Sequence, residues 1–329
     1  MTAMLLSVRD LSLALRGDGA HTLVEHVSFD VPERGVLGIV GESGCGKSVT
    51  ALSILRLGEP VIAPTSGSIA FNGEDLLTAS PRRMQQVRGG EISMIFQEPM
   101  TSLNPVLTVG FQIGEALRVH QRLGRRAARA AAIELLSIVG IPLPASRIDV
   151  YPHQMSGGMC QRVMIALALA CRPKLLIADE PTTALDVTVQ AQIIDLLRRL
   201  QGQFGMAVII ITHDLALVSD FAETIVVMYA GRVVEQGPAA ALFARPLHPY
   251  TERLLDSIPP VDRDVDRLAT IPGTVPPPWA MPPGCRFMDR CGFATDRCRD
   301  VDPVLRTLGD ARLAACHHPR HVRDHATVG

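Results

Sequence analysis

The stretch that decides the fold reads Gly41-Glu42-Ser43-Gly44-Cys45-Gly46-Lys47-Ser48 and matches the pattern G-x-x-x-x-G-K-S/T. It follows an apolar run at residues 37–40 and precedes an apolar segment with helical periodicity that begins near Val49. In such a loop the glycines let backbone N–H groups turn inward around phosphates, and the N-terminus of the following helix favours anions. The sequence therefore predicts a phosphate-binding loop in which Lys47 reaches the β- and γ-phosphates and Ser48 ligates Mg²⁺.

The sequence around this loop predicts an α/β core, because short apolar runs alternate with helical periodicity from residue 4 to about residue 242. Buried strands are predicted at 37–40, 175–178 and 208–211. Hairpin-like pieces at 5–15 and 24–31 and a sheet edge at 68–71 predict an antiparallel β subdomain. Residues 99–152 are rich in alanine, leucine and arginine, and with the apolar run at 163–170 they predict a helical subdomain over about 99–170.

The composition argues against a nucleic-acid-binding protein and against a membrane-spanning protein. The 32 lysines and arginines nearly equal the 33 aspartates and glutamates, so there is no basic field for a nucleic-acid backbone. The longest apolar stretches, 163–171 and 206–211, are shorter than the roughly 18 to 20 residues that cross a bilayer. No secretory signal is visible at the N-terminus, so we expect a cytoplasmic chain without disulfides.

Two acidic residues, Asp179 and Glu180, end the predicted strand at 175–178. Phosphoryl transfer depends on positioning and on charge neutralisation more than on covalent chemistry. Asp179 is therefore predicted to hold the Mg²⁺ shell, and Glu180 to polarise the attacking water. Two solvent-exposed acids without a function would give the same sequence pattern after a strand. The phosphate loop upstream favours the metal-binding interpretation.

A cysteine-rich segment lies at the C-terminal end. Proline clusters after residue 242 predict a linker over 243–283 without regular structure, followed by a region at 284–329. Four cysteines there follow C-x₅-C-x₆-C-x₁₇-C, which differs from the paired spacing of common zinc modules. They are Cys285, Cys291, Cys298 and Cys316. Four thiolates suit an iron–sulfur cluster or a structural zinc ion, and four reduced structural thiols are the third interpretation.

Further motifs point to one family. The segment Ser156-Gly157-Gly158-Met159-Cys160-Gln161-Arg162 lies between the phosphate loop and Asp179, and it resembles the signature motif of ABC ATPases. Gln97, the segment Ala184-Leu185-Asp186 and His213 look like the Q-loop, the D-loop and the switch histidine, in the family's order. The resemblance covers residues 5 to about 240.

The resemblance implies an ABC-type P-loop ATPase core, with a RecA-like mixed sheet, an antiparallel β subdomain and a helical subdomain. It implies that ATP is bound by residues 41–48 and Val49, and Mg²⁺ by Ser48, Gln97 and Asp179. Glu180, His213 and Gln97 would be catalytic. A second nucleotide-binding domain would pair with this one, and the nucleotide of that second domain would face the signature and the D-loop of this chain. The signature residues are Ser156, Gly157, Gly158 and Gln161, and the D-loop residue is Asp186.

Two further segments narrow the family. Residues 97–105 and His248-Pro249-Tyr250-Thr251 resemble the ATP-binding subunits of bacterial dipeptide/oligopeptide importers, whose cysteine tail carries a 4Fe–4S cluster. This implies two transmembrane permease subunits, a second homologous ATP-binding subunit, a substrate-binding protein and a peripheral location on the cytoplasmic face of the inner membrane. Glutathione or nickel complexes are alternative cargoes. A soluble ABC ATPase for translation or DNA repair and a regulatory iron–sulfur protein are alternative functions.

One position departs from the family pattern. Family members usually place an aromatic side chain against adenine near the end of the first strand. Residues 11–16 contain none, and Leu15 occupies that place. Val24 is the alternative apolar contact for the adenine ring.

Overall fold

The structure is a computed structural model, and it describes residues 3–17, 21–183, 185–258, 270–309 and 311–321. The chain divides into two compact units. The first unit comprises Met1–Leu6, Val31–Val36 and Ala70–Ile211, and the second comprises Ser7–Asp30, Leu37–Ile69 and Thr212–Gly329. No helix in the described ranges has both the length and the apolar character that a bilayer crossing needs.

The strands are β1 (Met4–Leu15), β2 (Thr22–Pro32), β3 (Val36–Val40), β4 (Ile62–Phe71), β5 (Glu74–Asp75), β6 (Ile92–Ile95), β7 (Leu175–Asp179), β8 (Ala207–Thr212), β9 (Thr224–Tyr229), β10 (Arg232–Pro238), β11 (Arg306–Thr307) and β12 (Leu313–Ala314).

The helices are α1 (Lys47–Ile54), α2 (Pro81–Val87), α3 (Pro99–Ser102), α4 (Val109–Gln121), α5 (Arg125–Ile138), α6 (Pro144–Arg147), α7 (Gly157–Leu169), α8 (Val187–Phe204), α9 (Leu215–Ser219), α10 (Ala239–Ala244), α11 (Pro249–Asp256) and α12 (Asp296–Asp300). Short 3₁₀ turns cover Pro152–Gln154, Pro278–Ala280 and Met288–Arg290.

The core of the first unit is a parallel sheet in the order β6-β7-β8. Ile92 pairs with Leu175, and Leu175 pairs with Ala207. Every residue of β7 and β8 is buried, as expected for parallel strands that are covered on both faces. This register places Asp179 opposite Ile211, at the carboxyl end of the sheet, where polar residues of α/β folds commonly act.

The second unit contains mixed pairing. β3 runs parallel to β9, and β9, β10, β12 and β11 continue in antiparallel order. A register shift between Val233 and Glu235 interrupts the β9–β10 ladder. Glu235 pairs with Ala314, so the C-terminal segment adds two short strands to this sheet.

The structure confirms the predicted α/β core and the predicted strands at 37–40, 175–178 and 208–211. It also confirms β-structure at 5–15, 24–31 and 68–71 and a helical segment after residue 99. The predicted domain boundaries at 242/243 and 283/284 fall inside the second unit and stay predictions.

The predicted absence of regular structure in the 243–283 linker is wrong for Pro249–Asp256. Pro249 occupies the first position of helix α11, where its missing N–H would have no partner in any case. The ring nitrogen Nδ1 of His248 accepts the N–H of Tyr250 at 3.0 Å and caps the helix. The following predicted positions lie outside the described residues: 18–20 of the α/β core, Ala184 of the D-loop, 259–269 of the linker, and Asp310 and 322–329 of the tail.

Candidate functional site

The phosphate loop lies in the second unit, between the fully buried strand β3 and helix α1. Its first glycine, Gly41, has φ +153°, and a Cβ there would lie 2.2 Å from the carbonyl oxygen of Met228. At Gly46, φ is +101°, and a Cβ would lie 2.9 Å from Val24 Cγ2. Glycine is therefore required at both positions by the backbone angle and by close neighbours.

Lys47 closes the loop on itself. Its ammonium donates hydrogen bonds to the carbonyl oxygens of Gly41 at 2.7 Å and Glu42 at 2.9 Å, and the side chain is buried. Cys45 is also buried, and burial raises the pKa of its thiol, although Lys47 acts in the opposite direction. A neutral thiol is therefore the group next to the lysine, and it adds no negative charge to an anion site.

Glu42 makes contacts well outside the loop. Its N–H donates to the hydroxyl of Tyr250 at 2.8 Å. Its carboxylate accepts two hydrogen bonds from Arg290, at 2.7 and 2.8 Å. The bond to Glu42 is the main cause that raises the pKa of Arg290 above its usual range. The sequence analysis missed both partners, because they lie 208 and 248 residues further along the chain and no local motif marks them.

Glu180 lies in the first unit, directly after β7. Its Oε2 accepts hydrogen bonds from Gln97 Nε2 at 3.1 Å and Thr183 Oγ1 at 2.8 Å. Its backbone φ is +46°, a left-handed conformation that is strained for a non-glycine residue, and its N–H donates to the carbonyl oxygen of Ile211. The structure thus brings together two of the three predicted catalytic residues. The sequence analysis did not identify Thr183 as part of the site. A hydroxyl side chain three residues after Glu180 is the sequence feature that could have indicated it.

The predicted magnesium ligands are polar residues at strand and helix ends. Asp179, the last residue of β7, is 5% exposed, and Ser48 is the second residue of α1. Gln97 follows β6 in the chain by two residues and is exposed. A hydroxyl, a carboxylate and an amide oxygen are the hard ligands that Mg²⁺ prefers.

The predicted signature residues lie at the start of helix α7 in the first unit. Ser156 is the N-cap, and its hydroxyl oxygen accepts the N–H of Met159 at 3.3 Å. Ser156 and Gly157 are exposed, so this helix N-terminus is open to an anion from outside the chain. Gln161 differs, because it is 1% exposed and its Nε2 has no hydrogen-bond partner among the described residues.

Two predicted residues lie at other helix starts. Asp186 caps helix α8, and its carboxylate accepts the N–H of Val189 at 2.9 Å. His213 lies in the second unit between β8 and α9 and is exposed. Asp214 caps α9 by accepting the N–H of Ala216 at 2.8 Å. The first cap fixes the backbone at Asp186, and the second fixes the backbone directly after His213.

The four predicted cluster ligands line one cavity, together with Phe287 and His248. They are Cys285, Cys291, Cys298 and Cys316, and none forms a disulfide. Within the described ranges, no three His, Cys, Asp or Glu side chains are grouped so that they could hold a metal ion.

Backbone N–H groups point at two of these sulfur atoms. Phe293 N–H donates to Cys291 Sγ at 3.4 Å, and His318 N–H donates to Cys316 Sγ at 3.3 Å. Burial raises the pKa of Cys285 and of Cys316 to about 11, so both are protonated thiols at neutral pH. Metal binding there would release protons, since the ligand form is the thiolate.

The predicted adenine contact also has a structural context. Leu15 N–H donates to the carbonyl oxygen of His21 at 3.0 Å, and the His21 ring lies 6.1 Å from the ring of Trp279. Val24 is fully buried against the phosphate loop.

Comparison with known proteins agrees with these features. The family profile described as ABC transporter matches residues 24–183, and the profile of the oligopeptide/dipeptide transporter C-terminal region matches residues 234–298. The dipeptide transport ATP-binding protein DppD of Escherichia coli is 54% identical over 316 residues, covering 96% of this chain and 97% of that protein. DppD of Haemophilus influenzae is 52% identical over 317 residues, covering 96% of each.

Solved structures show the same fold. An ATP-binding cassette in a dimeric post-hydrolysis state with ADP and phosphate superimposes with a TM-score of 0.64 at 27% identity, covering 71% of this chain and 98% of that one. The cbiO1 protein of Clostridium perfringens, part of an ABC transporter complex, gives 0.64 at 28% identity, covering 73% and 91%. The chain has the phosphate loop and the acidic residue after β7, and it matches peptide-transport ATPases over 96% of its length at 52–54% identity; it therefore belongs to the ATP-binding subunits of the bacterial dipeptide/oligopeptide ABC importers.

Proposed function

We propose that this chain binds and hydrolyses ATP and thereby powers the import of dipeptides or oligopeptides through an ABC transporter complex. The observation that carries the proposal is the setting of Glu180. Its carboxylate is oriented by Gln97 and Thr183 at the end of a buried strand, as a base that positions water requires. Relatives named as dipeptide transport ATP-binding proteins, at 52–54% identity, support the cargo class.

Each candidate residue has a proposed role. Residues 41–48 and Val49 hold the ATP, with Lys47 on the β- and γ-phosphates, because a buried ammonium among backbone amides neutralises phosphate charge. Ser48, Gln97 and Asp179 supply oxygen ligands to Mg²⁺, which when bound neutralises phosphate charge. Glu180 orients the attacking water, and His213 contacts the γ-phosphate.

The exposed start of helix α7 is proposed to receive the nucleotide of a second ATP-binding subunit. The residues involved are Ser156, Gly157, Gly158 and Gln161, with Asp186 of the D-loop. Exposure of Ser156 and Gly157 supports this, and so does the dimeric state of the similar ATP-binding cassette. The second subunit is proposed to be a homologous chain, which makes the pair a heterodimer.

The remaining proposed partners are two transmembrane permease subunits and a substrate-binding protein. The chain would then act at the cytoplasmic face of the inner membrane as a peripheral subunit. ATP would favour one of two arrangements of the assembly, and hydrolysis would reset it.

We also propose that Cys285, Cys291, Cys298 and Cys316 hold a 4Fe–4S cluster. In such a cluster each thiolate binds a different iron atom, whereas a zinc ion needs all four sulfur atoms at about 2.3 Å from one point. All four thiols line one cavity, and their sequence spacing differs from the paired spacing of common zinc modules; these two observations support the cluster. Visible absorption of the anaerobically purified chain tests this, because an iron–sulfur cluster is coloured, whereas a zinc site and four bare thiols are colourless.

The experiment that tests the function uses the complete transporter, purified with its neighbouring subunits and placed in lipid vesicles. ATP-dependent uptake of a radiolabelled dipeptide is measured with the wild-type chain and with Lys47→Ala. We expect uptake with the wild type and none with the variant. A chain that purifies without membrane subunits, or uptake that is unchanged by the substitution, would contradict the proposal and favour a soluble ABC ATPase.

A further inference from the structure

The phosphate loop carries a carboxylate, although its proposed ligand is a polyanion. Glu42 is the second residue of the loop, and an uncompensated negative charge there would repel the phosphates of ATP. No other residue from 41 to 48 is acidic. What neutralises Glu42 therefore bears directly on nucleotide affinity.

All polar groups of Glu42 are engaged by distant parts of the second unit or by the loop itself. Its N–H is held by Tyr250, and its carbonyl oxygen accepts from Lys47. Its carboxylate is held by both terminal nitrogens of Arg290 in a bidentate pair. A bidentate arginine–carboxylate pair fixes orientation as well as charge.

Arg290 is itself held in place. Only 5% of its side chain is exposed, against 28% for Glu42. It donates hydrogen bonds to the carbonyl oxygens of Pro272 at 2.8 Å and Ile271 at 3.2 Å. Its guanidinium lies 5.7 Å from the ring centre of Tyr229 and 5.9 Å from that of Phe287. These contacts hold the Arg290 side chain in the orientation in which its guanidinium faces the phosphate loop.

The position of Arg290 in the sequence links the loop to the cysteine-rich segment. Arg290 ends the 3₁₀ turn Met288–Arg290, between Cys285 and Cys291. The N–H of Met288 donates to the carbonyl oxygen of Cys285, and the N–H of Cys291 donates to that of Met288. The turn that presents Arg290 is therefore built on the same backbone that presents two of the four thiols.

We propose that Arg290 is a positioning residue of the nucleotide site: it neutralises Glu42 and holds its carboxylate away from the phosphates, so that the cysteine-rich C-terminal segment completes the phosphate loop. This inference rests on the proposed ATP binding and assigns a nucleotide-site role to a segment outside the matched ABC transporter profile, which ends at residue 183. It follows that a substitution in the turn at 288–290 weakens ATP binding even when no residue of the loop is substituted.

The electrostatic account gives a distinctive pattern for variants. Arg290→Gln leaves Glu42 uncompensated, so affinity falls, and it falls more for ATP than for ADP because ATP carries more negative charge. Glu42→Gln removes the repelling charge, so adding it to Arg290→Gln restores most of the affinity. A purely structural role for Arg290 predicts no such rescue and no dependence on the charge of the nucleotide.

The test is equilibrium binding of a fluorescent ATP analogue and a fluorescent ADP analogue, with Mg²⁺, to the full chain at low and high salt. The variants are Arg290→Gln, Glu42→Gln and the double substitution. Arg299→Gln is the matched control, because this arginine lies in the same segment and its side chain is 68% exposed. Lys47→Ala reports separately whether the loop binds nucleotide at all.

At low salt we expect Arg290→Gln to weaken ATP binding by about tenfold and ADP binding by a smaller factor. At high salt the loss should be smaller for both nucleotides, because salt screens the repulsion from Glu42. The double variant should bind within about threefold of the wild type, and Arg299→Gln should match the wild type. The inference is overturned if Arg290→Gln binds ATP like the wild type, if the double variant stays as weak as Arg290→Gln, or if Arg299→Gln is equally weak. Equal binding by the wild type and Lys47→Ala would instead refute the proposed nucleotide site.

Discussion

Two glycines of the phosphate loop differ in the space around them, and this difference can be measured. Gly41 has φ +153°, and an added Cβ would lie 2.2 Å from the carbonyl oxygen of Met228 and 2.8 Å from Cys45 Sγ. Gly44 has φ +79°, and an added Cβ would meet nothing within 4 Å. Alanine at either position adopts an unfavourable backbone angle, but only alanine at 41 also collides with backbone.

The expected cost follows from these two terms. Unfavourable backbone angles cost about 1–3 kcal/mol each, and this term applies to both Gly41→Ala and Gly44→Ala. Overpacking against an immobile neighbour adds about 1–3 kcal/mol at Gly41 alone. We therefore expect Gly41→Ala to lower the free energy of unfolding by about 2–6 kcal/mol, and Gly44→Ala by about 1–3 kcal/mol.

The assay is denaturant unfolding of the full chain without nucleotide, followed by circular dichroism, with both variants and the wild type measured side by side. Gly41→Ala should unfold at the lower denaturant concentration. The same variant should also lose nucleotide binding, because the collision with Met228 displaces the backbone whose carbonyl oxygen accepts from Lys47. Equal unfolding midpoints for the two variants would refute the argument that Met228 confines the loop.

Three further predictions concern other parts of the chain. Arg312→Met should lower the free energy of unfolding by about 3–5 kcal/mol in denaturant titrations, because it leaves the fully buried carboxylate of Glu235 without its ion partner; a loss below 1 kcal/mol would contradict this. Ser156→Ala should cost about 1 kcal/mol through loss of the α7 cap, and it should reduce phosphate release in the assembled transporter far more than that stability loss explains. Thr183→Val should lower kcat and leave the KM for ATP nearly unchanged in steady-state assays, because it removes a hydrogen bond that orients Glu180; a change in KM alone would count against that role.

Much of the fold could be predicted from sequence because its signals are local. The strand, glycine-rich loop and helix at 37–54 are adjacent in the chain, and fully apolar runs marked β7 and β8. Helix α11 was missed because the proline clusters that follow it in the sequence were interpreted as a linker without regular structure from residue 243 onward, although Pro249 stands at the first helical position, where proline is favoured.

The contacts that orient the site could not be predicted, since they join residues far apart in sequence. Gln97 and Glu180 are 83 residues apart, and each had to be assigned a role without knowledge of the other. Glu42 was interpreted only as part of a phosphate loop, although its charge is balanced by Arg290 from the C-terminal segment. Pairing of this kind depends on tertiary packing, which no single-sequence pattern encodes.

The measurement that tests the central claim most directly is phosphate release by the assembled transporter with Glu180→Gln in this chain. The substitution keeps the size of the side chain and removes the carboxylate that Gln97 and Thr183 orient. We predict that ATP still binds with near wild-type affinity and that phosphate release falls by about 100-fold or more. Phosphate release at the wild-type rate would contradict the account, because this chain would then bind ATP without using Glu180 to hydrolyse it.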